Sequence, residues 1–227
     1  MKKNQIVISV GGSLIIPGDI DVKFLNSFVS LIKDYTSLGF SFLLITGGGN
    51  ICRRYNEALK EITDPTNTDL DYLGIAVTRL NAELVRIAFG DLAYEKVVLD
   101  PDTLPLTDKP IIVGGGWKPG NSSDLAAVHG AKSLGATKLI NLSNIDYVYD
   151  TDPKKNPEAK PLKDISWEQF RALFSKDWNP GANVPFDPIA AAEAEDLHYE
   201  VAILNGQNIE NLKAYLDGQS FIGTIIK

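Results

Sequence analysis

Three glycine-rich turns, each directly after a short apolar run, are the segments of the chain best suited to do chemistry. They are Gly11-Gly12-Ser13, Gly47-Gly48-Gly49 and Gly114-Gly115-Gly116. Glycine lets a backbone approach a ligand closely, and a helix that begins at the turn adds its positive end. One such turn could merely close a tight strand–helix connection. Three of them, each after a candidate parallel strand, favour a phosphorylated ligand beyond the carboxyl ends of the strands.

The second turn continues into a segment that can grip a phosphate. Thr46–Tyr55 has the sequence TGGGNICRRY, which places Arg53 about one helical turn after the glycines. An arginine there can fold back and bind a phosphate through two N–H groups. The alternative is that Arg53 and Arg54 form a solvated basic pair. Cys52 is the single cysteine, more typical of a packed residue than of a reactive one, and it fits a reducing compartment.

A further segment with the sequence KPGNSSD, from Lys118 to Asp124, offers hydroxyl groups at the start of a predicted helix. Ser122 and Ser123 could present hydroxyls and backbone N–H groups to an anion. The competing interpretation is that Ser123 or Asp124 simply caps the helix.

Composition and missing motifs exclude several classes of protein. The chain lacks G-x-x-x-x-G-K-[ST], so it is not a P-loop enzyme, and no G-x-G-x-x-G follows the first strand. A net charge of −7 argues against a nucleic-acid partner. No apolar run approaches the roughly 18–20 residues of a membrane span, and Ile6–Val10 is too short for a signal-peptide core. We therefore expect a cytoplasmic protein without a membrane partner.

The elements that must position these turns alternate along the chain. Short apolar runs predict parallel strands covered on both faces, at Ile6–Val10, Phe40–Ile45, Lys96–Leu99, Pro110–Val113, Lys138–Leu142, Val201–Leu204 and Thr224–Ile226. Helical periodicity predicts helices at Phe24–Leu38, Leu73–Phe89, Asp124–Leu134, Pro188–Leu197 and Ile209–Leu216. Ser166 and Gln169 predict a capping box that opens Trp167–Phe174, and the proline-rich Asp150–Pro161 is expected to be a loop. This order predicts an α/β protein with a mainly parallel central sheet between two helical layers.

A series of motifs along almost the whole chain is shared with one family. These motifs are Val10–Leu14, Thr46–Tyr55, Asp71–Ile75, Thr78–Ala82, Pro119–Asp124, Asn144–Tyr149, Asp152-Pro153, Asp187-Pro188 and Gly223–Ile226. On these residues the chain resembles the UMP kinases of the amino acid kinase superfamily, particularly the short archaeal-type form. The last motif is widespread in the superfamily, whereas Asp71–Ile75 together with Thr78–Ala82 points to the UMP kinase branch.

The resemblance implies a three-layer α/β/α sandwich, the amino acid kinase fold, as one domain over residues 1–227. The half up to about residue 135 would bind the phosphate acceptor, and the half from about residue 136 would bind ATP. The implied reaction is ATP- and Mg²⁺-dependent phosphoryl transfer to UMP, giving UDP for pyrimidine nucleotide biosynthesis. Mg²⁺ would be carried by the nucleotide, without protein ligands, and the protein would be a homo-oligomer, a hexamer. A phosphate oxygen is a nucleophile that needs no general base, so positioning and charge neutralisation carry the catalysis.

The same resemblance assigns residues to the two substrates. Gly48, Gly49 and Arg53 would contact the acceptor phosphate, and Asp71 would hold its ribose hydroxyls. The segment that closes around the acceptor would be Trp117, Lys118, Pro119, Gly120, Asn121 and Ser122. On the ATP side the implied residues are Gly12, Ser13, Gly49, Ser143, Asn144, Tyr149 and Asp152. Arg53 and Ser13 would be the catalytic residues, whereas the isolated His129 and His198 are expected to be structural.

Three departures from the family pattern bear on activity. Ser9 stands where many superfamily kinases have a lysine, so the missing charge must come from Mg²⁺, Arg53 or another lysine. Ser122 and Ser123 replace two common threonines. Tyr147 replaces a common glycine, which implies an altered loop on the ATP side.

Two alternative functions remain open on the sequence alone. A kinase for another small phosphate, such as isopentenyl phosphate, would carry a histidine before the second turn, where this chain has Thr46. A non-catalytic nucleotide-binding or storage protein, such as the molybdenum storage proteins, is kept open by Ser9 and Tyr147. Its expected histidine-rich inner surface is hard to build from the two histidines of this chain.

Overall fold

The fold is a strand–helix alternation, and the computed structural model describes residues 4–153, 155–174 and 184–227 of it. The strands are β1 (Gln5–Val10), β2 (Ser41–Thr46), β3 (Ile111–Gly114), β4 (Lys138–Ser143), β5 (Val148–Tyr149), β6 (Pro161–Leu162), β7 (Asp164–Ile165), β8 (Glu200–Asn205) and β9 (Thr224–Ile226). The helices are α1 (Gly12–Ile15), α2 (Val22–Ser37), α3 (Gly49–Ile62), α4 (Asn67–Phe89), α5 (Ser123–Leu134), α6 (Trp167–Leu173), α7 (Pro188–Asp196) and α8 (Ile209–Leu216). A single 3₁₀ turn covers Gly90–Leu92.

Seven of these strands form one mainly parallel sheet, in the order β3-β2-β1-β4-β8-β9-β7. The β8–β9 pair is antiparallel, and β5 and β6 form a separate antiparallel pair. The chain builds outward from β1 through β2 to β3 and then returns to β4 on the other side of β1. Ligands of open α/β sheets bind at such a reversal of strand order, so the carboxyl end of β1 is the expected place for a site.

Helices cover both faces of the sheet, because successive strand side chains point to opposite faces. Val7 packs with residues of α5, α6 and α7, whereas Ile8 packs with residues of α2, α4 and α8. Edge-to-face aromatic pairs lie in both layers, Phe28 with Phe89 on one side and Trp167 with Phe170 on the other. The predicted three-layer sandwich with its mainly parallel sheet is therefore confirmed. None of the described helices is both long and apolar enough to cross a membrane.

Two of the predicted elements were wrong in detail. Lys96–Leu99 is not a strand: it meets β3 only at a single bridge between Val98 and Gly114, because Leu99 is exposed and only Val98 is buried. Helix α4 begins at Asn67 rather than at Leu73, because Thr66 and Asp69 form a capping box. Asp71 consequently lies inside a helix. The capping box of Ser166 and Gln169 is confirmed, although its helix ends at Leu173.

Candidate active site

The first two glycine turns interlock at the carboxyl ends of β1 and β2. A side chain on Gly12 would overlap the backbone nitrogen of Gly49, and a side chain on Gly49 would overlap the carbonyl oxygen of Gly12. Gly49 also has a φ of +68°, which disfavours any other residue. The sequence interpretation, that glycine there lets the backbone approach a ligand, stays a prediction. At Gly12 and Gly49 the space is filled by the opposite turn, so that α1 and α3 begin side by side.

The third glycine turn packs on α4. A side chain on Gly116 would come within 2.9 Å of the Ile75 Cα atom. Gly116 N–H donates to Thr78 Oγ1 at 2.8 Å. Arg79 donates through Nε to Gly116 O at 2.9 Å and through Nη2 to Trp117 O at 3.1 Å. The turn and the segment after it are thereby tied to the middle of α4.

The same stretch of α4 also holds the second turn. The buried Asn81 amide donates to Gly47 O at 2.8 Å and to Gly48 O at 3.2 Å. Thr46 Oγ1 donates to Thr78 O at 2.9 Å. Thr78, Arg79 and Asn81 all lie in the Thr78–Ala82 motif, but their types and spacing alone predict no role. Their role is to fix both turns relative to one helix.

A cavity of about 470 Å³ lies between α3, α4 and the segment that precedes α5. Helix α3 buries none of its residues, so it leaves a cleft along α4. The predicted acceptor residues on the cavity wall are Gly48, Gly49, Arg53, Asp71, Lys118, Asn121 and Ser122. Its volume lies in the range of about 300–1,000 Å³ that is typical of small-molecule sites. The structure thus brings together residues from three separate motifs.

Three of the predicted acceptor residues are not on that wall, and they position the loop instead. The Trp117 ring packs on the His129 ring with centroids 4.6 Å apart, and Lys118 Nζ lies 3.8 Å from the Trp117 ring centroid. Gly120 N–H donates to Asp71 Oδ2 at 2.7 Å, with Gly120 at a positive φ and Pro119 directly before it. Contact of Trp117, Pro119 and Gly120 with an acceptor stays a prediction.

Asp124 lines the same cavity and accepts three hydrogen bonds. Its Oδ1 atom accepts from Ser9 Oγ at 2.9 Å and from Asn141 Nδ2 at 3.0 Å. Its Oδ2 atom accepts from the backbone N–H of Asp187 at 3.1 Å. Burial raises the pKa of Asp124 to about 6, the hydrogen bond from Ser9 opposes that rise, and the Asp187 charge adds to it.

Asp187 is the second carboxylate of the cavity that sequence reasoning missed. Its Oδ1 atom caps α7 by accepting from Ala190 N–H at 2.7 Å. Its Oδ2 atom is buried without a normal hydrogen-bond partner among the described residues, and burial raises its pKa. Both aspartates resemble helix caps in sequence, but the cap of α5 is Ser122, not Ser123 or Asp124. The available signal was the polar pair Ser9 and Asn141 in otherwise apolar strands.

The predicted ATP-side residues lie at the carboxyl ends of β1 and β4 and in the loop beyond, except Gly49, which follows β2. Gly11 N–H donates to Leu142 O at 2.8 Å, which places the first turn, with Gly12 and Ser13, beside Ser143 and Asn144. Tyr149 lies on β5, with its ring edge-to-face to that of Tyr147. Asp152 is exposed, and its carbonyl oxygen accepts from two backbone N–H groups of the same loop. Apart from Gly49, the predicted ATP residues thus lie after β1 and β4, whereas the predicted acceptor residues lie at the start of α3, on α4 and before α5.

The two histidines do not line the cavity, whereas the single cysteine does. His129 lies between two carboxylates, with Nδ1 2.7 Å from Asp102 Oδ1 and Nε2 3.1 Å from Glu193 Oε2. His198 follows α7 with a φ of +55°. Cys52 lines the cavity, and burial raises the pKa of its thiol. Tyr147, expected to distort its loop, does not have a positive φ.

Comparisons with known proteins show which family this chain resembles in sequence and fold. Residues 4–205 match the model of the amino acid kinase family. A uridylate kinase from Methanobrevibacter smithii is 34% identical over 224 residues, which cover 97% of each chain. One from Thermococcus kodakarensis is 37% identical over 193 residues, 82% of this chain and 84% of that one. The crystal structure of the Archaeoglobus fulgidus uridylate kinase superposes with a TM-score of 0.84 at 30% identity, over the full length of both chains.

Proposed function

The chain belongs to the amino acid kinase family, and from this premise we propose that it transfers the γ-phosphoryl group of ATP to UMP, giving UDP and ADP. The observation that carries the proposal is the cavity between α3 and α4, where the second glycine turn, Arg53 and Asp71 share one wall. The named relatives, which are uridylate kinases, support the same acceptor.

The acceptor phosphate would bind at the start of α3. Gly48 and Gly49 lie there on the cavity wall, and a helix N-terminus attracts an anion through its backbone N–H groups. Arg53, one turn later, can add a bidentate contact. Because the first turn interlocks with the second, Ser13 and the ATP side would lie next to this phosphate. In-line transfer needs just such proximity of donor and acceptor.

The nucleoside of the acceptor would extend along α4. Asp71 can accept hydrogen bonds from ribose hydroxyls while its Oδ2 atom already accepts from Gly120 N–H. Through that bond the loop that carries Lys118, Asn121 and Ser122 is linked to the ribose subsite. Binding the ribose would therefore also order the loop that closes over the base.

Catalysis in this site would rest on positioning and charge. Arg53, Lys60 and Lys118 place three cationic side chains on the cavity wall. Mg²⁺ bound with ATP would supply further positive charge at the transferring phosphate. Among the residues that the structure describes, no group of three or more His, Cys, Asp and Glu side chains is placed to hold a metal ion. We propose that the phosphates of the nucleotide are the main ligands of Mg²⁺, as the family resemblance implies.

The alternative acceptors and roles find less support in the structure. Thr46, where an isopentenyl phosphate kinase would have a histidine, is fully buried and bonded to α4, so this position faces the protein interior. A storage protein would need metal-binding side chains on an inner surface, and His129 is engaged by Asp102 and Glu193. Neither feature favours a function other than phosphoryl transfer to UMP.

The assembly and the cellular role follow from the same proposal. We propose a homo-oligomer because α4 exposes an apolar stripe of Tyr72, Leu80, Leu84 and Ile87 at helical spacing. That this oligomer is a hexamer is what the resemblance to UMP kinases implies. Exposed stripes of this kind mark association surfaces. The role would be pyrimidine nucleotide biosynthesis in the cytoplasm, in line with the single cysteine.

Product analysis tests the reaction itself. The full chain is incubated with ATP labelled at the γ-phosphate, Mg²⁺ and UMP, and the products are separated by chromatography. The label should appear in UDP, and a mixture with isopentenyl phosphate in place of UMP should leave it in ATP. Label found only in inorganic phosphate, or transferred to isopentenyl phosphate instead, would refute the proposed acceptor.

A further inference from the structure

Two polar side chains occupy core positions of neighbouring parallel strands. Ser9 of β1 and Asn141 of β4 are register partners, and they are only 2% and 4% exposed. The residues two positions earlier, Val7 and Leu139, belong to the apolar core on the α5 side of the sheet. Burying a hydroxyl and an amide there costs free energy unless each has a partner.

Both side chains donate to the same atom, Asp124 Oδ1, at 2.9 and 3.0 Å. The other carboxylate oxygen accepts from Asp187 N–H at 3.1 Å. Donors from β1, β4 and the segment before α7 thus hold a side chain of α5. Three donors on three separate elements leave the carboxylate a single orientation on the cavity wall.

We propose that Ser9 and Asn141 are positioning residues that hold the Asp124 carboxylate ionised and oriented where the acceptor and ATP sides meet. The effect on turnover rests on the proposed function, whereas the effect on the carboxylate does not. The Asp124 carboxylate would place a fixed negative charge near the substrate phosphates. Such a charge can orient the cationic side chains that bind the phosphates, and Arg53 and Lys118 lie on the same cavity wall. Ser9 achieves the orientation with a neutral donor.

The electrostatic surroundings make the carboxylate sensitive to the loss of one donor. Burial and the neighbouring Asp187 favour its protonated form, and the Ser9 hydroxyl opposes them. The charged and titratable groups that share the cavity wall with Asp124 are Asp187 before α7 and Cys52, Arg53, Glu57, Lys60, Asp71 and Lys118. A hydrogen bond to the ionised form lowers a pKa, so removing it should raise the pKa by about one unit.

The test is a ¹³C NMR pH titration of aspartate carboxyl groups in the full chain, with Asp124→Asn identifying the resonance. Ser9→Ala should raise the pKa of Asp124 by about one unit, Ser9→Thr should restore it, and Asn141→Ala gives a second measurement from β4. Ser133→Ala is the matched control. It deletes a hydroxyl on α5, the helix that carries Asp124, but this hydroxyl donates to Pro101 O and lies away from the cavity. An unchanged pKa in both Ser9→Ala and Asn141→Ala would overturn the inference.

Steady-state kinetics with UMP separates this inference from the proposed function. Ser9→Ala should lower kcat about tenfold with the KM for UMP unchanged, whereas Ser133→Ala should match the wild type. A raised pKa in a wild-type chain that cannot phosphorylate UMP would support the positioning and refute the proposed reaction. An active wild type whose Ser9→Ala variant keeps both its pKa and its kcat would refute the positioning alone.

Discussion

At the scale of single residues, Asp124 carries a charge that the fold disfavours. Its pKa of about 6 lies above the ordinary value of 3.8, so the folded chain binds a proton more tightly than the unfolded chain. The free energy of unfolding therefore falls as the pH rises through this window and levels off above it. Ionisation of this residue lowers stability at neutral pH by on the order of 2–3 kcal/mol.

Asp124→Asn should remove that part of the pH dependence. Between about pH 4 and pH 8, urea unfolding of the wild type should lose about 2 kcal/mol more than the variant loses. Asp19→Asn on the exposed surface is the control and should follow the wild type. Equal pH dependence in Asp124→Asn and the wild type would show that the carboxylate is not destabilised by burial.

The rate at which the Cys52 thiol is alkylated can report whether a ligand occupies the cavity, without any mutation. Cys52 is the single cysteine, it lines the cavity, and burial raises its pKa, so it should react slowly with iodoacetamide at neutral pH. UMP should slow the reaction several-fold further, and ATP alone should not. Mass spectrometry of the intact chain measures the rate, and equal rates with and without UMP would place the acceptor elsewhere.

The position of a residue at the cavity was predictable where its motif lies beside a glycine turn, as for Gly48, Gly49 and Arg53. Asp71 and Lys118 came from the family resemblance rather than from spacing. The positions of Asp124 and Asp187 on the cavity wall were not predicted from the sequence. Each of them lies at the start of a helix, where aspartate is common as a capping residue. Only the packing of α5 and α7 on one face of the sheet brings the two carboxylates together.

At the scale of elements, α4 fixes the position of two glycine turns. Asn81 donates hydrogen bonds to the second turn, and Arg79 donates to the third turn and the residue after it. Arg79→Ala removes two hydrogen bonds to the segment after β3, so the KM for UMP should rise about tenfold or more. Arg86→Ala is the matched control on the same helix, because its guanidinium pairs with the partly exposed Glu83. Steady-state kinetics should show no change for Arg86→Ala. Equal effects of both variants would contradict the claim that Arg79 of α4 positions the third turn for UMP binding.

The central strands and most helices were predictable, since buried parallel strands and amphipathic helices leave plain patterns. The start of α4 was missed because the capping pair Thr66 and Asp69 precedes the apolar periodicity by several residues. The antiparallel β8–β9 pair was not predictable, because pairing direction depends on where the chain returns to the sheet. The apolar residues of Lys96–Leu99 predict a strand, but the segment pairs with β3 only through the single bridge between Val98 and Gly114.

At the scale of the whole molecule, the apolar stripe of α4 faces away from the core while its opposite side braces the site. Leu80→Glu places a charge in the middle of that stripe and should dissociate the proposed oligomer, as measured by light scattering after size exclusion. Leu38→Glu, at an exposed leucine just after α2, is the control and should leave the mass unchanged. A wild type that is monomeric, or a Leu80→Glu variant of unchanged mass, would contradict the proposed surface.

The most direct measurement is ADP release with ATP, Mg²⁺ and a panel of UMP, CMP, dUMP, AMP, isopentenyl phosphate and no acceptor. UMP should give a rate well above all others. Arg53→Ala should lower kcat/KM for UMP by about 2–4 kcal/mol of transition-state free energy, a factor of roughly 30 to 1,000, because a phosphate charge loses its partner. Arg54→Ala, the exposed neighbour outside the cavity wall, should keep the wild-type value. A flat panel in a chain that still binds ATP, or equal effects of the two arginine variants, would contradict UMP phosphorylation in the α3–α4 cavity.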